Sequence, residues 1–198
     1  MARIDEALGK DVFQQVRDKI AEILLDELAN QATLSGNTDL EYGIIWMERR
    51  RPFNLSEVPA INLSISGINY NTKFRHQRQP DVTYTIDIYN TKNHTEDDAD
   101  ELVMDSIWDV SRTVQYILDH PHYASLGLNP LISHSEVVKI TSGEAEMSDG
   151  ARCGILRVEF KVNMISVENP FDQIALELSS TSVKIEQTDK GYFYQLQN

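Results

Sequence analysis

The chain has 198 residues, of which 41% are hydrophobic and 25% charged, with a formal net charge of −13. Such a composition fits one domain of ordinary size with a sizeable core, and it is neither that of a disordered chain nor that of a membrane protein. No apolar run approaches the roughly 18 residues needed to cross a bilayer, the opening MARIDEALGKD has no apolar signal core, and so acidic a surface is ill suited to gripping phosphates, so the expected setting is cytosol-like, with no membrane and no specific nucleic-acid partner.

In chain order, residues 11–29 carry a stripe of Val12, Phe13, Val16, Ile20, Ile23, Leu24 and Leu28, which predicts an amphipathic helix. The polar stretch from Gln31 to Gly43 reads as a loop. Ile44 to Met47 is a short strand that runs into Arg49, Arg50 and Arg51. After Pro59, period-two alternation puts Ile61, Leu63 and Ile65 on one side and Asn62, Ser64 and Ser66 on a wet one. Asn69 to Pro80, polar and basic, reads as a hairpin tip or extended loop. Asp81 to Asn90 alternates again, Val82, Tyr84, Ile86 and Ile88 inward and Thr83, Thr85, Asp87 and Tyr89 outward.

The longest helical pattern follows, from Thr95 to Pro121. Ala99, Leu102, Val103, Ile107, Val110, Val114, Ile117 and Leu118 share a face, Thr95 with Asp98 suits the start, and Pro121 closes it. A rod of about 24 residues is roughly 36 Å long, enough to roof one face of a small sheet. A Gly- and Pro-punctuated connection leads to a strand at Val137, Val138 and Ile140, a turn at Ser148-Asp149-Gly150, and the clearest strand, Ile155 to Ile165, with Leu156, Val158, Phe160, Val162 and Met164 inward. The expected fold is α+β: a mainly antiparallel or mixed sheet with two helices on one face, in a core domain of residues 1–166. Residues 167–198 are a C-terminal extension. It holds a hairpin about Thr188-Asp189-Lys190-Gly191 and three aromatics, Tyr192, Phe193 and Tyr194, which the core or a partner must cover.

Chemistry is sparse. No phosphate-loop, dinucleotide, nucleophile-elbow or HExxH pattern occurs. His120 and His122 could form a metal pair, but no third ligand is identifiable, and a helix C-terminus followed by a surface loop explains them better. The acids Glu96, Asp97, Asp98, Asp100 and Glu101 mark a helix start rather than a calcium loop. Ser133, His134 and Ser135 lack the acid and the oxyanion turn of a triad. The single cysteine, Cys153, rules out an internal disulfide and a multi-thiolate site, and it reads as a small hydrophobe at a strand start. Asn54, Asn62 and Asn93 begin glycosylation triplets that have no meaning without secretion. Trp46, Trp108, Phe53, Phe74 and Tyr116 read as core or interface aromatics. No enzyme activity, cofactor or metal is expected. Arg49, Arg50, Arg51, Lys73, Arg75 and Arg78 are the candidate intermolecular contacts, a positive rim at one end of the sheet on an acidic molecule.

The order of these segments, VPAINLSI, then DVTYTIDIY running into ADELVMDSIWDVSRTVQYILDHP, then the terminal pair with G-x-L-x-V-x-F-x-V alternation at Gly154–Val162, resembles the tail terminator (tail completion) proteins of long-tailed bacteriophages over residues 11–166. The resemblance implies a virion protein of the neck, assembled in the host cytoplasm. Six copies form a ring that caps the head-proximal end of the tail tube, stops its growth and docks the head-completion proteins. Its partners are then further copies of itself, the tail tube protein, a head-completion or neck protein and, in a contractile tail, the sheath protein. Genomic DNA passes through the lumen without specific binding. The extension after residue 166 exceeds what smaller members carry, and a strand lent to a neighbouring subunit is its expected use. The alternatives are another neck component, such as a head–tail stopper or adaptor, a small α+β enzyme with a deep polar pocket, and a small ligand-binding module.

Overall fold

The computed structural model describes residues 11–74, 77–90, 99–146, 152–165, 182–188 and 191–197. The chain divides into a body, Met1–Val167, and a second unit, Glu168–Asn198. The body is α+β, as its patterning predicts. Helix α1 (Val12–Ser35) comes first, then β1 (Ile45–Met47), β2 (Ala60–Phe74), β3 (Gln77–Asn90), α2 (Ala99–Leu118), β4 (Ile132–Glu146) and β5 (Arg152–Met164). The five strands lie in the order β1-β2-β3-β5-β4, with β1 parallel to β2 and every other pair antiparallel. In the second unit, β6 (Ser182–Thr188) pairs antiparallel with β7 (Gly191–Gln197).

Both helices bury their stripes against the same sheet face. Val16, Ile20, Leu24 and Leu28 of α1 and Ile107, Val110 and Val114 of α2 pack with Ile61, Leu63, Val82, Tyr84, Ile86, Ile88, Leu156, Val158, Phe160 and Val162 in one cluster. A fully buried side chain of this kind contributes about 1.5–3 kcal/mol, so this layer supplies most of the drive to fold. The Tyr84 hydroxyl reaches through it and donates to the Phe13 carbonyl at 3.0 Å, which fixes the start of α1 over β3.

Helix α1 is longer than the stripe suggests. It runs to Ser35 because Ala32 continues the buried face one turn past Leu28, and it stops where Gly36 takes φ 67, with its N–H on the Ala32 carbonyl at 2.9 Å. Asp11, not a later residue, caps the start and accepts the Phe13 N–H. Helix α2 ends at Leu118, two residues short of Pro121, and the proposed Thr95–Asp98 cap lies outside the described residues. Strand β4 begins at Ile132, five residues before Val137. Ile132 is buried and pairs with Met164, but register shifts on either side of His134–Val137 break the alternation that would have revealed it. The stretch from Asn69 to Pro80 is mostly strand: β2 and β3 stay paired from Asn69↔Asp81 to Phe74↔Gln77. The Ser148-Asp149-Gly150 turn also lies outside the described residues.

The outer sheet face is less wet than the alternation implies. Asn62, Thr85 and Asp87 are all buried. At one end the connection between β1 and β2 folds over this face and places Phe53 in a small second cluster with Ala60 and Cys153, flanked by Trp46, Val58 and Tyr89. Cys153 is thus the small buried hydrophobe that its place in the strand predicts. Among the described residues, β1 and β4 each have a single strand neighbour and leave two open sheet edges.

Candidate interaction surface

The β1–β2 connection is organised by one cation. After Met47 the chain turns at Glu48, φ 56, whose N–H still donates to the Leu63 carbonyl at 2.9 Å and whose Oε1 accepts the Ile65 N–H at 2.9 Å. Glu48 thereby continues the β2 ladder for one rung past β1, and the Arg17 guanidinium reaches the same carboxylate at 3.4 Å. Arg49 comes next. Its backbone N–H donates to Asn62 Oδ1 at 3.0 Å and its carbonyl accepts from Asn62 Nδ2 at 3.2 Å, which satisfies both ends of a buried amide. The guanidinium grips Glu57 through two bonds of 2.9 and 2.7 Å, donates to the Arg51 and Pro52 carbonyls, and lies 4.6 Å over the Trp46 ring and 4.2 Å over Phe53. The bond from Arg49, seconded by the Asn54 N–H, holds the Glu57 carboxyl below the usual carboxylate range.

The six basic residues do not form one rim. Arg49 is engaged within its own chain, while Arg50 and Arg51 are exposed beside it, near the Asn62 end of β2. Lys73 lies near the opposite end of the same strand, where Thr72 pairs with Arg78. About eleven strand residues separate the two groups, roughly 36 Å at 3.3 Å each. Arg75 lies outside the described residues.

Across the outer face runs a ladder of cross-strand ion pairs. Asp87, side chain 7% exposed, takes two bonds from its β5 partner Arg157, at 2.7 and 2.9 Å. Asp81 meets Lys161 at 3.0 Å and also accepts from Asn163. The Asp87 bond is the main cause of a raised Arg157 pKa. Alternate-position charges of opposite sign in DVTYTIDIYN and LRVEFKVNM were the available signal for this ladder, once the register of the two strands is known.

At the far end of α2, Tyr116 and His120 form an exposed ridge with open grooves of about 240 and 350 Å³ on its two sides. His120 packs edge-on to Tyr116 and against Tyr123, and its Nδ1 accepts the His122 N–H at 3.2 Å, so this imidazole caps a turn. The Tyr123 hydroxyl donates to Glu27, which keeps that carboxyl below its ordinary range and pushes the phenol up to about 12. Ser133 and Ser135 donate to the Asn163 and Ala124 carbonyls, and His134 faces Glu136 at 3.7 Å, so the three do not act on one another. Among the described residues no group of three metal-ligating side chains converges. Phe53 is core and Trp46 partly buried, whereas Trp108 and Tyr116 stand in solvent. The backbone places Tyr192, Phe193 and Tyr194 on β7, opposite Gln187, Glu186 and Ile185.

No protein-family model matches the chain, and no curated protein sequence matches it. Among the described residues its surfaces offer paired charges, two strand edges and exposed aromatics.

Proposed function

We propose that this chain is a structural virion protein, a tail terminator that caps the head-proximal end of a phage tail tube as a ring of six copies, stops tube growth and presents a docking surface to head-completion proteins. The observation that supports the reading most is the arrangement of the sheet: both helices roof one face, and β1 and β4 each leave an edge open. A subunit with two unlike edges associates head to tail, and a fixed rotation per step closes the chain of subunits into a ring. In this reading the tail tube protein meets one rim of the ring and the neck protein the other, with the sheath protein as a further partner in a contractile tail.

The net charge of −13 then has a use, since a lumen rich in Asp and Glu lets DNA slide past without sticking. A ring reconstruction with a basic lumen would reject that part. The protein performs no catalysis and needs no cofactor. Residues 167–198 lend a strand to the next subunit or to the first sheath ring. Truncation after Ser166 should impair assembly or alter tail length, and unchanged assembly and length would remove this role for the arm.

Negative-stain imaging of the purified full chain tests the main reading. Six-fold rings with a central hole are expected, and isolated particles or a different closed symmetry would overturn it.

A further inference from the structure

Among the described residues of the body, four of the exposed large hydrophobics stand at its two sheet edges, the others being Leu34, Tyr70, Tyr116 and Ile165. At the β1 edge, Ile44 and Met47 are 55% and 46% exposed, and the exposed cations Arg50 and Arg51 follow closely in the chain. At the other edge stand Val138, on β4 itself and 46% exposed, and Trp108, on α2 and 45% exposed.

Helix geometry locates Trp108. Asp119, just past the end of α2 with its N–H still on the Gln115 carbonyl at 2.9 Å, lies about three turns further on, and at roughly 100° per residue the two side chains share a flank to within about 20°. Asp119 accepts the Val137 N–H at 3.1 Å, so that flank runs beside β4. Ser106, on the opposite flank, bonds instead to Asp39 at 2.7 Å and Asn90 at 2.8 Å, toward α1 and β3. On the outer surface of this edge the exposed acids Asp105, Asp119 and Glu136 outnumber the exposed cations Arg112 and Lys139.

We infer that the β1 edge of one copy docks on the α2–β4 edge of the next, with Ile44 and Met47 against Trp108 and Val138, and Arg50 and Arg51 facing Asp105. The inference deepens the ring reading, on which its choice of a second copy as occupant rests. Charge decides the pairing of edges. Like against like would bring Arg50 and Arg51 onto their own copies and acid onto acid, whereas unlike edges match in sign and each supplies a strand edge.

The test mixes two full-length variants, Met47→Asp/Arg50→Glu, which disables the β1 edge, and Trp108→Asp, which disables the other. All three positions are outside the core, and unchanged circular dichroism and thermal midpoints confirm folding. Ile44→Asp and Val138→Asp serve as a second pair if either variant misfolds. By size-exclusion chromatography with light scattering, each variant alone should run as a single 22.6 kDa chain, and the equimolar mixture should run at twice that mass, joined through its one intact pair of edges. Variants that keep the wild-type assembly would overturn the inference and leave the ring reading standing. Monomeric variants whose mixture also stays monomeric would overturn the unlike pairing. Wild-type chain growing into open filaments that both variants abolish would uphold the inference and overturn the closed ring.

Discussion

Asp87 shows how the outer face of the sheet is held. A carboxylate this deeply placed would lose its hydration without recompense, and Arg157 restores it with two charge-assisted bonds. Arg157 is itself half exposed, so solvent screens the pair and the full value of a buried ion pair does not apply. Replacing Arg157 with Met should therefore destabilise by about 1–3 kcal/mol, the range for a buried acceptor left without its partner, measurable as a lower urea midpoint. A midpoint equal to wild type would show that water satisfies Asp87 unaided. The Arg49–Glu57 clamp gives a pH signature. Glu57 has a folded pKa below its unfolded value, so its contribution is complete above the unfolded pKa of about 4.5 and disappears as pH falls through the folded one. Glu27 acts in the same direction through Tyr123. Thermal midpoints should fall as the pH drops below about 4.5, and Arg49→Met should shallow that fall. An identical slope in the variant would disconnect the clamp from acid stability.

Between elements, Gly154 marks a close approach of β5 to α2. A Cβ on Gly154 would sit 2.7 Å from Ile107 Cδ1 and 3.1 Å from Val103 Cγ1. Gly154→Ala should cost about 1–3 kcal/mol by overpacking. Ile107→Val in the same chain should recover part of the loss, because the nearest obstacle is the tip of a movable side chain. Equal stability of Gly154→Ala and wild type would mean that α2 shifts freely. The same helix shows what a sequence can convey: of the stripe it names, Val103, Ile107, Val110, Val114, Ile117 and Leu118 are buried, while the side chains of Ala99 and Leu102 lie outside those described. Strand β3 from Asp81 and strand β5 from Ile155 were equally readable, because each buries one face under a helix and alternates cleanly. Of strand β4 only the part from Val137 was readable. Its first residues follow a broken register, with Ser133, His134, Ser135 and Glu136 after Ile132, and local composition there resembles a loop. The fate of Arg49 was hidden for a different reason. Its partners Trp46, Phe53 and Glu57 are near in sequence, but a run of three arginines reads as surface charge until the turn at Glu48 folds it onto the sheet.

For the molecule as a whole, one roofed face and two open edges set the problem that assembly would solve. An unpaired strand edge is a hazard in a monomer and a resource in a ring. The β4 edge, at fifteen residues, is long. Part of the outer face is closed by Phe53 and the charge ladder, so the edges rather than the face are left as the principal contact surfaces. The most direct measurement is the light-scattering mass of the intact chain over rising concentration. The account predicts a plateau at six times the 22.6 kDa chain mass; a mass of one chain at every concentration would contradict it.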